Sequence, residues 1–292
     1  MTSSNRSRIV LGPNQYGKAE CRLVRIDRAT DRHEITDLNV TTQLRGDFTS
    51  CHTEGDNGHV VATDTQKNTV YAFARDGVGA PEAFLLRLAR HFTTAHEWVT
   101  VADLAAEQYA WERIAVDGAG HDHAFRRTGR GTRTARVEHD GESTVVTAGL
   151  TDCTVLKSTG SEFHGFPRDR YTTLEETTDR ILATDLTATW RYAASAVERG
   201  LDYDATYAGV SDLLLATFAG RHSLALQQTI FEMGRAVLER YAEIDEIRLS
   251  CPNKHHFLVD LEPFGLDNPG EIFFAADRPY GLIQATVLRE EA

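Results

Sequence analysis

Four short stretches of the chain combine residue types that can bind a small polar molecule and move its protons. The first is Gln15–Lys18, where a lysine stands at the start of a strand-like segment, and the second is the threonine- and aspartate-bearing Val61–Thr69. The third is Leu156–Leu174, followed closely by an aspartate-arginine pair, and the fourth is Cys251–His256. Each stretch alone has an ordinary structural explanation, such as a solvated strand end or a helix N-cap. Their combination favours a chemical role.

Common cofactor and acyl-transfer motifs are missing from the sequence. No Gly-x-Gly-x-x-Gly follows a strand-like segment, and neither a Walker loop nor a Gly-x-Ser-x-Gly elbow occurs. His121 and His123 can face the same side of a strand and share a metal ion, but a third ligand is missing. We therefore predict no metal and no organic cofactor, and we interpret the two histidines as polar or core residues.

Composition excludes several classes of protein. The 292 residues carry 31 Lys and Arg against 43 Asp and Glu, a net charge of −12 that disfavours nucleic-acid binding. No window approaches the ~18 consecutive apolar residues of a membrane span, and no signal peptide or C-terminal Ser-Lys-Leu-like tripeptide is visible. The four cysteines show no Cys-x-x-Cys spacing, which indicates reduced thiols. We predict a cytoplasmic protein with no membrane and no nucleic-acid partner.

The secondary structure predicted around the four stretches falls into two similar halves. In the first half, Ala19–Ile26 and the alternating run Leu38–Arg45 predict an antiparallel hairpin. Apolar residues at helical spacing over 80–92 predict an amphipathic helix. Strand-like sequence then runs from Trp98 to Ile114 before a turn at Asp117-Gly118. The first half is therefore predicted to contain a hairpin, then helices, then a second hairpin.

The second half begins near Gly129 and repeats the same order. Its predicted elements are a hairpin around Asp140-Gly141, two helices and two closing strands, over 132–139, 143–156, 213–218, 226–241, 247–260 and 271–287. The triplet Ala62-Thr-Asp64 recurs as Ala183-Thr-Asp185, a short sequence repeat that favours duplication of the first half. We predict an α+β chain with domains 1–130 and 131–292.

In this order the four stretches resemble urate oxidase, the uricase family. The resemblance runs from Tyr16 to Ile283 and is most specific in the third stretch. It implies tandem tunnelling-fold (T-fold) domains, each an antiparallel sheet with helices on one face, joined into an oligomeric β-barrel. It also implies a homotetramer with active sites at subunit interfaces, where Lys18 and Thr63 come from one subunit and Arg180 from its neighbour.

The resemblance implies a reaction and a set of residues that carry it. The reaction is oxidation of urate by O2 and water to 5-hydroxyisourate and hydrogen peroxide, without metal or flavin, in purine catabolism. Lys18, Thr63 and His255 are implied as a catalytic proton relay. The implied substrate-binding residues are Asp64, Phe163, Leu174, Arg180, Leu226, Gln227, Asn253 and Ile283.

These residue types suit that chemistry. Arg180 presents a planar fork that can form two parallel bonds to an anion, and Gln227 offers both an acceptor and a donor to the same purine edge. Phe163 corresponds to the family's stacking ring, and Asn253 to the residue that holds O2 or water above the substrate. A threonine hydroxyl is a poor base alone, so a lysine neighbour and an imidazole are sensible partners.

Two other functions remain open from the sequence. One is a tunnelling-fold relative that acts on pterins or other purines with histidine-held zinc, which would give the histidine pair a role. The other is a purine-binding protein without turnover, which would leave Lys18 and His255 idle. For Thr63 or Asp64 the structural alternative is a helix N-cap, and for the apolar wall positions it is packing.

Overall fold

The computed structural model describes residues 8–290, which form two compact units. One unit contains the described chain up to Gln108 together with Ala135–Val146, and the other contains Tyr109–Thr134 and the chain from Thr147 onward. Strands β1 to β10 span Tyr16–Asp27, Glu34–Gly46, Val99–Val116, Ala119–His139, Thr144–Lys157, Leu182–Tyr192, Ile244–Asn253, His256–Leu258, Phe273–Ala275 and Gly281–Leu288. Helices α1 to α6 span Thr49–Thr53, Thr63–Arg75, Pro81–Ala95, Ala194–Arg199, Tyr203–Gly220 and Leu226–Arg240, and a 3-10 helix covers Glu262–Phe264.

The first unit is an antiparallel sheet with helices packed on it. Strand β1 pairs with β2, and β2 pairs with β3. Along β2, buried Leu38, Val40 and Leu44 alternate with more exposed residues, so one face of the strand enters the core as predicted. Helix α2 packs against β1, and α3 buries the apolar stripe that its spacing predicts.

The second unit repeats this plan. Strands β5, β6, β7 and β10 pair in that order, all antiparallel. Helix α6 packs against β7 and β10, and α5 packs against α6. A Cβ at Gly234 of α6 would lie 2.6 Å from Val287 Cγ2 of β10, so only glycine permits this close approach of helix and strand.

Matching bulges in β1 and β5 support the predicted duplication. The register of β1 shifts after Lys18, where Glu20 has φ 56°, and that of β5 shifts after Leu150, where Asp152 has φ 57°. A positive φ is uncommon for residues other than glycine. The same unusual φ therefore recurs at a bulge in both β1 and β5, which is a structural repeat. The predicted division at residue 130 stays a prediction.

Several predicted elements need correction. The echoed triplets are not equivalent, because Thr63 opens helix α2 whereas Thr184 lies within strand β6. Strand β4 begins at Ala119 rather than Thr132, and β6 was not predicted at all. Each predicted closing strand is broken, the first after Asn253 and the second before Gly281. Within residues 8–290, no helix has the length and hydropathy needed to span a membrane.

Candidate active site

A buried polar chain fixes the backbone of Lys18 in the first unit. The Lys18 N–H donates to Thr42 Oγ1 at 3.2 Å, and the Thr42 hydroxyl donates to Gln66 Oε1 at 2.7 Å. Gln66, on α2, donates in turn to the carbonyl of Val61 at 3.1 Å. Thr42 and Gln66 are fully buried. Because buried polar groups are costly unless paired, this chain ties β1, β2 and the start of α2 together.

Thr63 stands at the very start of α2. The N-cap is Ala62, and no side chain caps the helix, so the N-cap alternative for Thr63 or Asp64 is wrong. The Thr63 side chain is partly exposed in the first turn. Helix N-termini carry partial positive charge, so this position favours a hydroxyl that gains negative character.

Asp64 lies in the first turn of α2, where the charge of Lys18 on β1 affects it. Its carboxylate bonds to the ammonium of Lys67 and accepts from Asn68 Nδ2 at 3.0 Å. The pKa of Asp64 is lowered chiefly by the hydrogen bond from Lys67, with a smaller contribution from the charge of Lys18. The first unit therefore places Lys18 near enough to Asp64, at the N-terminus of α2, for its charge to help lower the pKa of that carboxyl.

In the second unit, backbone hydrogen bonds fold the long third stretch onto itself. Phe163 and Thr177 exchange both backbone bonds, at 2.8 and 3.0 Å. The Arg180 N–H donates to the carbonyl of Ser161 at 2.7 Å. These bonds place the Arg180 guanidinium carbon 5.2 Å from the centre of the Phe163 ring. The predicted clamp and the predicted stacking ring are thus neighbours.

Arg180 has an unmet hydrogen-bonding capacity. Its Nε is buried and has no hydrogen-bond partner within the described chain. Burial also lowers the pKa of its guanidinium, because desolvation disfavours the charged form. An unpaired buried donor on a cation is costly, which favours occupation by an acceptor that carries negative charge.

His255 lies close enough to Arg180 for the charge of the guanidinium to affect its pKa. The pKa of His255 is lowered, first by burial and then by the positive charges of Arg180 and His256. The imidazole also stacks on Phe257, with ring centres 5.7 Å apart. His255 is therefore a neutral imidazole near pH 7, able to accept a proton. It belongs to the second unit, whereas Lys18 and Thr63 belong to the first.

The other predicted residues of the second unit lie on β7, β10, α6 and a loop. Asn253 is the last residue of β7 and pairs with Gly281 of β10, and Ile283 follows two positions along β10. Leu226 and Gln227 open α6, the first buried and the second exposed. Leu174 lies outside helices and strands, with an exposed side chain. The roles of these five residues in substrate binding stay predictions.

The two histidines of the predicted pair lie side by side on β4. The rings of His121 and His123 meet edge to face with centres 4.5 Å apart, and the His123 N–H donates to His121 Nδ1 at 3.2 Å. Over the described range 8–290, no three His, Cys, Asp or Glu side chains are grouped so that they could hold a metal ion.

Comparison with known proteins identifies the family. The uricase family model matches residues 14–138 and 146–284. A uricase from Arthrobacter globiformis is 64% identical over 288 residues, covering 99% of this chain and 93% of the relative. The chain belongs to the uricase family. A uricase from Cyberlindnera jadinii is 36% identical over 297 residues, with 96% of this chain and 97% of the relative covered.

The uricase assignment extends to the fold. The crystal structure of the Arthrobacter globiformis uricase matches with a TM-score of 0.93 at 64% identity, covering 98% of this chain and 97% of that one. The family and the α+β tunnelling fold predicted from the sequence are therefore confirmed. Family membership also makes the chain a urate oxidase, an oxidoreductase, as predicted.

Two residues that support the candidate site of this uricase-family chain were not predicted from the sequence. Thr42 and Gln66 hold β1 against α2, yet neither was predicted as part of the site. A signal for Thr42 was present, since it shares the strand face of Val40 and Leu44 and is a polar residue among core positions. Gln66 gave no comparable signal, because a helix tolerates glutamine anywhere on its surface.

Proposed function

We propose that this chain oxidises urate with O2 and water to 5-hydroxyisourate and hydrogen peroxide, using no metal and no organic cofactor. The observation that carries the proposal is the buried, unpaired Nε of Arg180 beside the Phe163 ring in a chain of the uricase family. A flat anion with acceptor atoms on its edge satisfies both groups at once. Urate has that shape and charge.

Recognition combines a clamp with a stacking ring. Arg180 donates two parallel charge-assisted bonds to the purine edge, and Gln227 supplies an acceptor and a donor to neighbouring atoms. Phe163 stacks on the ring plane, which adds ~0.5–1.5 kcal/mol and fixes orientation. Asn253 holds O2 or water above the plane, and Asp64, Leu174, Leu226 and Ile283 complete the walls of the site.

The variant Arg180→Lys is expected to weaken urate binding about tenfold or more, although the charge is kept. A lysine cannot form the bidentate pair, and one charged hydrogen bond contributes about 1.5–3 kcal/mol net. Anaerobic titration with urate measures the dissociation constant without turnover. The matched control is Arg168→Lys, an exposed arginine of the same stretch that pairs with Glu175 at 3.5 Å. Equal urate affinity in wild type and Arg180→Lys would remove Arg180 from the site.

Catalysis depends on a proton relay of Lys18, Thr63 and His255. The Lys18 ammonium and the positive N-terminus of α2 both stabilise negative charge on the Thr63 hydroxyl, which then passes protons through a water. His255, kept neutral by burial and by the charge of Arg180, accepts and returns a proton. The relay removes a second proton from bound urate and so makes the substrate electron-rich.

The electrons and atoms of the proposed reaction balance without a cofactor. The deprotonated urate passes two electrons to O2, which takes up two protons and leaves as hydrogen peroxide. A water oxygen forms a bond to C5 of the oxidised ring, and the product is 5-hydroxyisourate. One urate, one O2 and one water therefore give one molecule of each product.

The lowered pKa of His255 fixes the acid side of the pH profile. Turnover needs the neutral imidazole, so kcat/KM is expected to fall as pH drops through a pKa below the ordinary ~6.5 of histidine. The acid-side inflection should disappear in His255→Asn, whose residual rate is low and flat there. His123→Asn serves as the control and should keep the wild-type inflection. An unchanged inflection in His255→Asn would contradict the assignment.

Assembly completes the site in this proposal. Within residues 8–290, β1 is paired only with β2 and β10 only with β7, so two sheet edges remain for partner strands. Exposed edges invite pairing with another chain. Apolar side chains on β8 and β9, such as Phe257 and Phe274, are also exposed and would be covered. We propose a homotetramer whose sites combine Lys18 and Thr63 of one subunit with the Arg180 group of its neighbour.

Urate consumption by the purified protein tests the proposed function. Loss of the ultraviolet absorbance of urate in air is expected, and its absence would overturn the proposal. Binding of urate without any consumption would support the non-catalytic alternative. One tightly bound zinc per chain, together with activity on pterins, would support the metal-dependent alternative.

A further inference from the structure

Glu162 sits between two histidines beside the proposed stacking ring. Its Oε1 pairs with His222 Nε2 at 2.7 Å, and its Oε2 pairs with His164 Nε2 at 2.9 Å. The Glu162 side chain is 14% exposed, whereas the two imidazoles are about half exposed. The carboxylate is thus the enclosed centre of the group. Hydrogen bonds from both imidazoles lower its pKa, so it is charged near neutral pH.

The two histidines come from different parts of the fold. His164 is two residues from Glu162 in the same loop, but His222 lies 60 residues away, just before α6. Backbone hydrogen bonds run beside the contact between Glu162 and His222. The Glu162 N–H donates to the carbonyl of Ser223 at 2.8 Å, and the Ser223 N–H donates to the carbonyl of Gly160 at 2.9 Å. Of the two side-chain bonds that Glu162 forms, only the one to His222 therefore links two separate segments.

That link joins the two segments that carry proposed substrate contacts. Phe163 directly follows Glu162, and Gln227 lies five residues after His222 at the start of α6. Ser223 is fully buried and its hydroxyl bonds to Thr229 at 2.6 Å, so the second segment is anchored to α6. A displacement between the segments would separate the stacking ring from the residue that bonds the purine edge.

We propose that Glu162 is a positioning residue that, through its bond to His222, fixes the Phe163 loop relative to the start of α6. The inference rests on the proposed function, which gives Phe163 and Gln227 the same ligand. Glu162 touches no reacting atom in this account. Its loss therefore affects the binding of urate more than the chemical step at saturation.

Anaerobic urate titration and steady-state kinetics on the assembled protein test the proposal. Glu162→Ala and His222→Ala are each expected to weaken urate binding about fivefold and to change kcat less than about twofold. The double variant should be no weaker than Glu162→Ala, since both remove the same bond. Glu162→Gln keeps an acceptor for His222 and should stay within about twofold of wild type.

His164→Ala is the matched control. It removes the other bond to the same carboxylate but no link between segments, so near wild-type affinity is expected. The proposal is overturned if His164→Ala and His222→Ala weaken binding equally. It is also overturned if the effects of Glu162→Ala and His222→Ala multiply in the double variant, or if neither changes affinity.

Hydrogen exchange separates this inference from the proposed function. Without any ligand, the amides of 160–164 and 222–226 should exchange faster in Glu162→Ala and His222→Ala than in wild type and His164→Ala. If the wild type does not bind urate, the proposed function fails and this exchange pattern alone decides whether the link exists. Unchanged exchange in both variants would contradict it.

Discussion

Lys18→Met is expected to lower kcat for urate oxidation by about 10²- to 10⁴-fold while KM changes by less than about threefold. Methionine keeps most of the length and the apolar stem of the side chain but removes the ammonium that is proposed to activate Thr63. The fold should be preserved, because the anchoring bond uses the Lys18 backbone N–H and not the side chain. Steady-state kinetics over a range of urate concentrations separates kcat from KM.

Lys67→Met is the control for the Lys18 variant. Lys67 is also a lysine of the first unit, but its ammonium bonds to Asp64 and lies outside the proposed relay. Its kcat should stay within about threefold of wild type. A Lys18→Met enzyme with normal kcat and a raised KM would show that Lys18 acts in binding and would remove it from the relay.

Mixing two inactive variants is expected to restore activity. In the proposed shared site, Thr63→Ala chains lack the relay half and Arg180→Ala chains lack the clamp half. When equal amounts are unfolded together and reassembled, random pairing gives one site in about four with both halves intact. The refolded mixture should therefore show about a quarter of the activity of similarly refolded wild type, and neither parent alone should recover.

A second mixture controls for assembly itself. Thr63→Ala and Lys18→Met affect the same half of the site, so no combination of those chains contains an intact relay. That mixture should stay as inactive as its parents. Failure of the first mixture in well-folded tetramers, or an active monomer by sedimentation, would contradict a site shared between subunits.

Local patterns predicted the parts of the fold whose burial follows a simple period. The alternation along β2 and the stripe of α3 each report one buried face, and both elements occur where expected. The turn at Asp117-Gly118 was also correct, with φ 51° and 81° at these residues. Strand β6 was not predicted, although Leu186, Ala188, Trp190 and Tyr192 are buried and alternate with polar residues, the same period-2 signal that indicated β2.

The residues of the candidate site were predicted one by one from the resemblance to the uricase family, but their arrangement in space was not. The sequence indicates Arg180, Phe163 and His255 singly, whereas their proximity depends on loop closure and on the end of β7. The sequence also did not predict that α2 has no side-chain cap, because threonine and aspartate near a helix start usually favour capping. Contacts between distant residues depend on the tertiary fold, which short-range spacing does not encode.

The stoichiometry of oxygen use by the metal-depleted enzyme tests whether this chain oxidises urate without a metal or an organic cofactor. After chelation and removal of metal ions, urate, dissolved O2 and hydrogen peroxide are followed together in one closed reaction. We expect one O2 to be consumed and one hydrogen peroxide to form per urate, at a rate that the chelator does not change. A loss of activity on chelation that added metal restores, or O2 consumption without hydrogen peroxide, would contradict it.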